Sequence, residues 1–184
     1  MRTLILDTEM ASRRGPAIQL AYLLCEDGRT RAVNHFLTAP ALDPASARIH
    51  GLSAEFLTAH ASDSECVRAQ LFRDCAGATL IAHNINADLR ALQLQFGPIP
   101  HAHGFCTMYG LAKALNLARV HGRPKLPSLA ELMAALDVDA LAVQEACASF
   151  FQESCGAHDA RWDVSAVYLC IRQAAERGFC RSFL

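Results

Sequence analysis

Two rhythms of apolar and polar positions run along this chain. The first third reads as short apolar or alternating runs, and the remainder shows spacings near 3.6 residues. Thr3 to Asp7 is an apolar run that ends on an acid. Ala17 to Cys25 is a second run, bounded by Gly15-Pro16 and by Glu26-Asp27-Gly28, and 31–38 alternates imperfectly through Ala32, Val33, His35 and Leu37. Runs of this length between turn residues predict strands, and Asp27-Gly28 predicts a hairpin turn. The chain therefore opens as three antiparallel strands with the first one buried. Pro40 and Pro44 mark a loop. Short helices are predicted over 45–49 and after Ser53, a good N-cap. A longer helix over 64–76 is closed by Gly77. Residues 79–82 read as a brief buried strand, and 85–96 as a helix that stops at Gly97-Pro98. A last strand at 105–107 leads into a helix over about 108–117. Ser128 and Glu131 form a capping box for a helix over 129–136. Further helices are predicted over 143–151 and 158–177, the latter with Val164, Val167, Tyr168, Cys170, Ile171 and Ala174 on an apolar face. Strands first and helices interleaved later predict one α/β domain on a mixed sheet across the 184 residues.

Composition narrows the class. Hydrophobic residues make up 52% and charged residues 19%, which excludes a disordered or fibrous chain. Lys plus Arg is 17 and Asp plus Glu is 18, a formal net charge of −1. That excludes a protein that coats nucleic acid through many phosphate contacts, and on charge alone it argues against a nucleic-acid partner. The eight cysteines include no C-x-x-C and no zinc-knuckle spacing. Several lie in apolar runs, such as Cys25 and Cys170, so they are expected to be buried free thiols in a reducing compartment. The N-terminus lacks the apolar stretch of a secretory signal, and no run approaches the roughly 18 residues of a membrane span. A cytoplasmic protein without a membrane association is expected.

The candidate chemistry lies at three places. Asp7 and Glu9 stand at the end of the first strand in LDTEM. Alternation puts positions i and i+2 on one face, so both carboxylates point the same way. Like charges side by side repel unless a cation lies between them; the plainer alternative is a solvated strand end. Asp88 lies in the first turn of the helix that follows His83-Asn84, where an acid also complements the helix dipole. His158 and Asp163, in HDARWD, open the last helix. Five residues apart, they lie about 140° apart around a helix and share no stripe. A His on the loop side of the helix start can still lean toward the Asp, and a surface histidine is the alternative. Taken together, four acids and a His make a divalent-metal site with a base. Oxygen ligands select Mg²⁺ or Mn²⁺, and two such ions suit in-line phosphoryl displacement with the His taking a proton from water.

These motifs, in this order, resemble the DnaQ-like, DEDDh-type 3′–5′ exonucleases. The family's D-x-E is matched by Asp7-Thr8-Glu9. Its second motif is matched by the stretch from His83-Asn84 to Asp88, and its H-x-A-x-x-D by His158 to Asp163. The IHGLS at 49–53 and the CTMYGLAKAL from Cys106 are also similar. Ala87 stands where many members carry Phe. The resemblance implies a ribonuclease H-like fold, a five-stranded mixed sheet flanked by helices. It implies two ions held by Asp7, Glu9, Asp88 and Asp163, with His158 as general base. It places Met10 and Thr8 near the terminal nucleotide, and Asn84 among the substrate contacts. Arg13 and Arg14 are candidate phosphate contacts for their nearness to the first motif. Arg161, Arg119, Arg123 and Lys125 are weaker candidates.

The implied activity is 3′–5′ hydrolysis of nucleic acid with release of nucleoside 5′-monophosphates. The substrate would be a free 3′ end, single-stranded DNA or a 3′ overhang above all. Trimming of short RNA is the close alternative, because no residue marks recognition of a 2′-hydroxyl. A non-catalytic nucleic-acid-binding module on the same fold predicts a missing ligand, yet all five positions are filled. A Cys/His metal or redox protein lacks the spacing. About seven residues follow Arg177 with no polymerase-binding tail, which favours a stand-alone enzyme, monomer or homodimer. The near-neutral charge then fits a protein that grips a strand end, since two divalent ions would place positive charge where a phosphate sits.

Overall fold

The computed structural model describes residues 2–117, 119–120 and 122–184, with positions 119, 120 and 124 described through their backbone only. Strands β1 (Arg2–Met10), β2 (Ala17–Glu26) and β3 (Arg29–Phe36) come first. Glu26 pairs with Arg29, so the β2–β3 turn is Asp27-Gly28 alone, both with positive φ (51° and 74°). This is the geometry that matches the twist of a two-residue hairpin. Helices α1 (Pro44–His50), α2 (Ala54–His60) and α3 (Ser64–Cys75) follow. Each starts where a side chain accepts a backbone N–H: Asp43, Ser53 and Asp63. Strand β4 (Thr79–Ala82), helix α4 (Ile85–Phe96) and strand β5 (His103–Cys106) complete the sheet.

The helix expected over 108–117 is broken into two single turns, α5 (Thr107–Gly110) and α6 (Ala112–Leu115), at Leu111. Leu111 is fully buried against Leu132, Leu136 and Val143, and the ring of Phe105 sits where a Cβ on Gly110 would be, 2.5 Å away. Tertiary packing at this corner overrides helical continuity. The basic loop contains a short ribbon of β6 (Arg119–Val120) and β7 (Arg123–Pro124), which periodicity does not foretell in so short a span. Helix α7 (Leu129–Ala135) opens on the Ser128–Glu131 capping box. Helices α8 (Ala140–Phe151) and α9 (Ala160–Glu176) close the chain. Helix α9 starts two residues later than predicted, because Asp159 is its N-cap and His158 precedes it.

The sheet order is β3-β2-β1-β4-β5, with β4 and β5 parallel to β1 and the other pairs antiparallel. This is the five-stranded mixed sheet flanked by helices. Alternation along the strands builds two cores. Leu4, Leu6, Leu20, Tyr22 and Leu80 face α3 and α4, while Ile5, Ala21, Leu23 and Ile81 face α9. A further apolar layer lies between α7, α8 and the outer face of α9. The central β1 pairs with β4 only from Thr3 to Ile5. Past that point β4 turns away into α4, and the last half of β1 borders a crevice at the carboxyl end of the parallel strands, the common location of α/β sites. Among the described residues no helix is long and apolar enough to cross a membrane.

Candidate active site

β1 carries the site by the same alternation that builds the cores. Asp7 and Glu9 continue the row begun by Ile5 and therefore face α9, while Thr8 faces α4. On α9, Ala160 and Val164 are buried against the sheet, which turns Asp163 toward β1. Asp7, Glu9 and Asp163 each offer a carboxylate oxygen, and these oxygens lie within 4.8 Å of one another. Asp88 adjoins this triad from α4. Its Oδ1 accepts the Thr8 backbone N–H at 3.1 Å and the Thr8 hydroxyl at 2.8 Å. Thr8 thus orients Asp88, a role the sequence did not indicate, and its N–H is committed there.

Crowded acids in a buried setting hold their protons. Burial pushes Asp7 well above the usual carboxylate range, with Asp88, Asp163 and Glu9 adding repulsion. Glu9 is raised to about 8 by burial and then by Asp163 and Asp159. Asp88 is raised to about 7 by burial, against the two Thr8 hydrogen bonds that pull it down. Asp163 is raised to about 7 by burial and by Asp159, although the His158 backbone N–H bonds its carboxylate. Four carboxylates raised together mark a cluster whose mutual repulsion a bound cation would offset. The donor set is entirely oxygen, which fits a hard divalent cation such as Mg²⁺ or Mn²⁺.

The start of α9 is fixed by residues that sequence reasoning passed over. Gln19 lies on β2 opposite Glu9 and is only 1% exposed. Its amide nitrogen donates to Asn34 Oδ1 and Asp159 Oδ1, both at 3.0 Å, and its Oε1 accepts the Ala160 N–H at 3.3 Å. Asp159 also accepts from the Arg161 backbone and guanidinium. Burial alone would raise Asp159, yet the Arg161 bonds hold it below its ordinary value. A polar residue in the middle of the apolar run AIQLAYLLC was the available signal, since buried amides are hydrogen-bonded. His158, just outside this network, is exposed and has a left-handed backbone (φ 64°). That conformation is unfavourable for a residue with a Cβ, and it turns His158 out of the helix.

Beside Glu9 lies a cleft of about 400 Å³ lined by Met10, Arg13, Asp43, Ile49 and His50. His50 Nδ1 accepts the Leu52 N–H at 3.1 Å, so the neutral ring carries its proton on the buried Nε2. Burial, and then the nearby His158, lower its pKa, against a hydrogen bond with the Met10 backbone that raises it. Met10 and Arg13 are therefore at the site edge. Arg14 is exposed and is not among the residues lining this cleft. Asn84 is exposed at the start of α4 with φ 67°, and its side chain does not cap the helix. His83 instead bonds Thr107 Oγ1 at 3.0 Å. Two of the weaker basic candidates are engaged elsewhere: Arg161 with Asp159 and Glu153, and Lys125 with Glu131. Arg123 is exposed, and the Arg119 side chain lies outside the described residues.

The crevice, the strand order and the flanking helices define a ribonuclease H-like fold of the kind found in solved exonucleases. An exonuclease X in complex with 5′-overhanging duplex DNA superposes with a TM-score of 0.63 at 18% identity, over 98% of this chain and 96% of that one. Exonuclease I from Methylocaldum szegediense gives 0.66 at 17% identity, over 96% of this chain and 40% of that one. E. coli exonuclease I in complex with a dT13 oligonucleotide gives 0.67 at 12% identity, over 95% and 41%. The chain thus spans about two fifths of these exonuclease I chains. No protein-family model and no curated protein sequence matches it.

Proposed function

We propose that this protein is a metal-dependent 3′–5′ exonuclease that removes nucleoside 5′-monophosphates from a free DNA 3′ end. The observation that carries the reading is the triad of Asp7, Glu9 and Asp163 oxygens within 4.8 Å, at the crevice beside β1. Its solved neighbours include exonucleases in complex with DNA, which supports the choice of substrate. Asp7, Glu9, Asp163 and Asp88 would hold two Mg²⁺ or Mn²⁺ ions, which when bound acidify water and offset charge on the leaving oxygen. His158 accepts the proton of the attacking water, and its exposed position leaves it free to do so. Gln19 and Asp159 keep the start of α9 in place, so that Asp163 and His158 meet the same phosphate. Met10 and the cleft behind it receive the terminal nucleotide. Its thioether packs against a base without reading its identity. Arg13 lies near enough to the cleft to meet a phosphate.

The test is a time course on 5′-labelled single-stranded DNA, duplex DNA with a 3′ overhang, and matched RNA. A ladder shortening from the 3′ end of DNA is expected with Mg²⁺ or Mn²⁺. Excess EDTA or Asp7→Ala abolishes it, and His158→Ala slows it by about 10²-fold or more. Cleavage that persists in excess EDTA sinks the metal mechanism. Products from internal cuts sink the exonuclease assignment, and faster degradation of the RNA transfers it to an exoribonuclease.

A further inference from the structure

Two of the eight cysteines meet beside the segment that carries His158. Cys147 is on α8, fully buried, and Cys155 is half-buried in the connection from α8 to α9. Their Sγ atoms are 2.6 Å apart, nearer to the roughly 2.05 Å of a disulfide than to ordinary contact between two sulfurs. The chain has already wrapped around this pair. Cys147 Sγ also donates to the Glu153 carbonyl at 3.8 Å. Glu153 is tied by Arg161 to the head of α9, and Asp159 is tied there too. Closing the bond therefore requires the sulfurs to move by little and the backbone by less.

We propose that Cys147 and Cys155 form an intramolecular thiol–disulfide site, which hydrogen peroxide closes into a disulfide that staples the His158-bearing segment to α8. The half-exposed Cys155 reacts first. Its thiol loses a proton to solvent, and the thiolate sulfur attacks one peroxide oxygen. The O–O bond breaks, leaving a sulfenic acid on Cys155 and a hydroxide that takes up the released proton as water. The Cys147 sulfur then attacks the sulfenic sulfur. The S–S bond forms, the S–O bond breaks, and the hydroxyl leaves with the Cys147 proton as a second water. Two thiols are oxidised and one hydrogen peroxide is reduced. The adjacent resolving thiol intercepts the sulfenic acid before further oxidation. Burial raises the Cys155 thiol, with Cys147 and Asp159 adding to the effect and Arg161 opposing it. Thiolate is accordingly scarce at neutral pH, and closure takes minutes to hours.

The native protein is incubated with hydrogen peroxide, quenched with an alkylating reagent under denaturing conditions and digested with trypsin. The fragment 126–161 holds Cys147, Cys155 and no other cysteine. It is expected to escape alkylation at both sulfurs and to be lighter by two hydrogens, a change that dithiothreitol reverses. The oxidised protein melts about 5 °C higher without reductant, and amide exchange across 152–158 slows. Cys155→Ser removes all three effects while keeping the shape of the side chain. Full alkylation of both sulfurs while the exposed Cys66 is oxidised would overturn the proposal, as would sulfinic acid at Cys155 without a link. A link that leaves exchange across 152–158 unchanged overturns the staple. None of these readouts depends on nuclease activity, so they stand apart from the test of the proposed function.

Discussion

Asp88 shows how a carboxylate on one side of a sheet is held against a cluster on the other. It lies on α4, across β1 from Asp7 and Glu9, and is held by both donors of Thr8. Thr8→Val keeps the shape and the backbone bond but removes the hydroxyl. Ion affinity is expected to fall about tenfold, the scale of lost support around a ligand. Nuclease activity should then drop at limiting Mn²⁺ and recover at high Mn²⁺; a uniform loss at every concentration would place Thr8 on the substrate instead. At this scale the sequence was legible wherever alternation decides a direction. Asp7 and Glu9 share a face because their positions differ by two. The partners of Gln19 and Asp159 were not legible, because a hydrogen bond between residues 140 apart leaves no local pattern.

At the scale of elements, β2 and α9 are joined through Gln19. Gln19→Leu fills the same space but leaves the buried Ala160 N–H unpaired and Asp159 with Arg161 alone. An orphaned buried amide costs about 1–3 kcal/mol, so the melting temperature should fall by about 5 °C. The maximal rate should also fall about tenfold with little change in KM, as expected for a residue that positions catalytic groups without touching substrate. An unchanged rate would make Gln19 purely structural. The long periodic elements were readable, down to the limits of α4 and the capping box of α7. The short β6–β7 ribbon was not, and neither were two helix limits. The 108–117 helix breaks because Leu111 is drawn into a core built from α7, α8 and α9, which no local window contains. The last helix begins after His158, not at it: Asp159 is the cap, and His158 stands before it.

The whole molecule has a near-balanced charge, yet its acids are unevenly spread, and the site is repulsive when no cation is bound. Glu9 titrates near 8 in the fold against 4.5 ordinarily, and Asp88 and Asp163 near 7 against 3.8. The folded protein therefore holds protons that the unfolded chain releases. Stability from these groups is fully present below about pH 4 and is lost as pH rises through 7 to 8. In EDTA the melting temperature should decline across pH 5–8.5, and saturating Mn²⁺ should raise it most at the alkaline end. A melting temperature that climbs with pH in EDTA would show that these carboxylates are already ionised.

The protons held by the acidic cluster also bear on how a pH–rate curve is to be assigned. Each ion that binds must displace them, so uptake near neutrality liberates acid, and the measured heat of binding will vary with the ionisation enthalpy of the buffer. The acid limb of the rate profile would then belong to loading of the carboxylates. It should slide to lower pH as the ion concentration is raised.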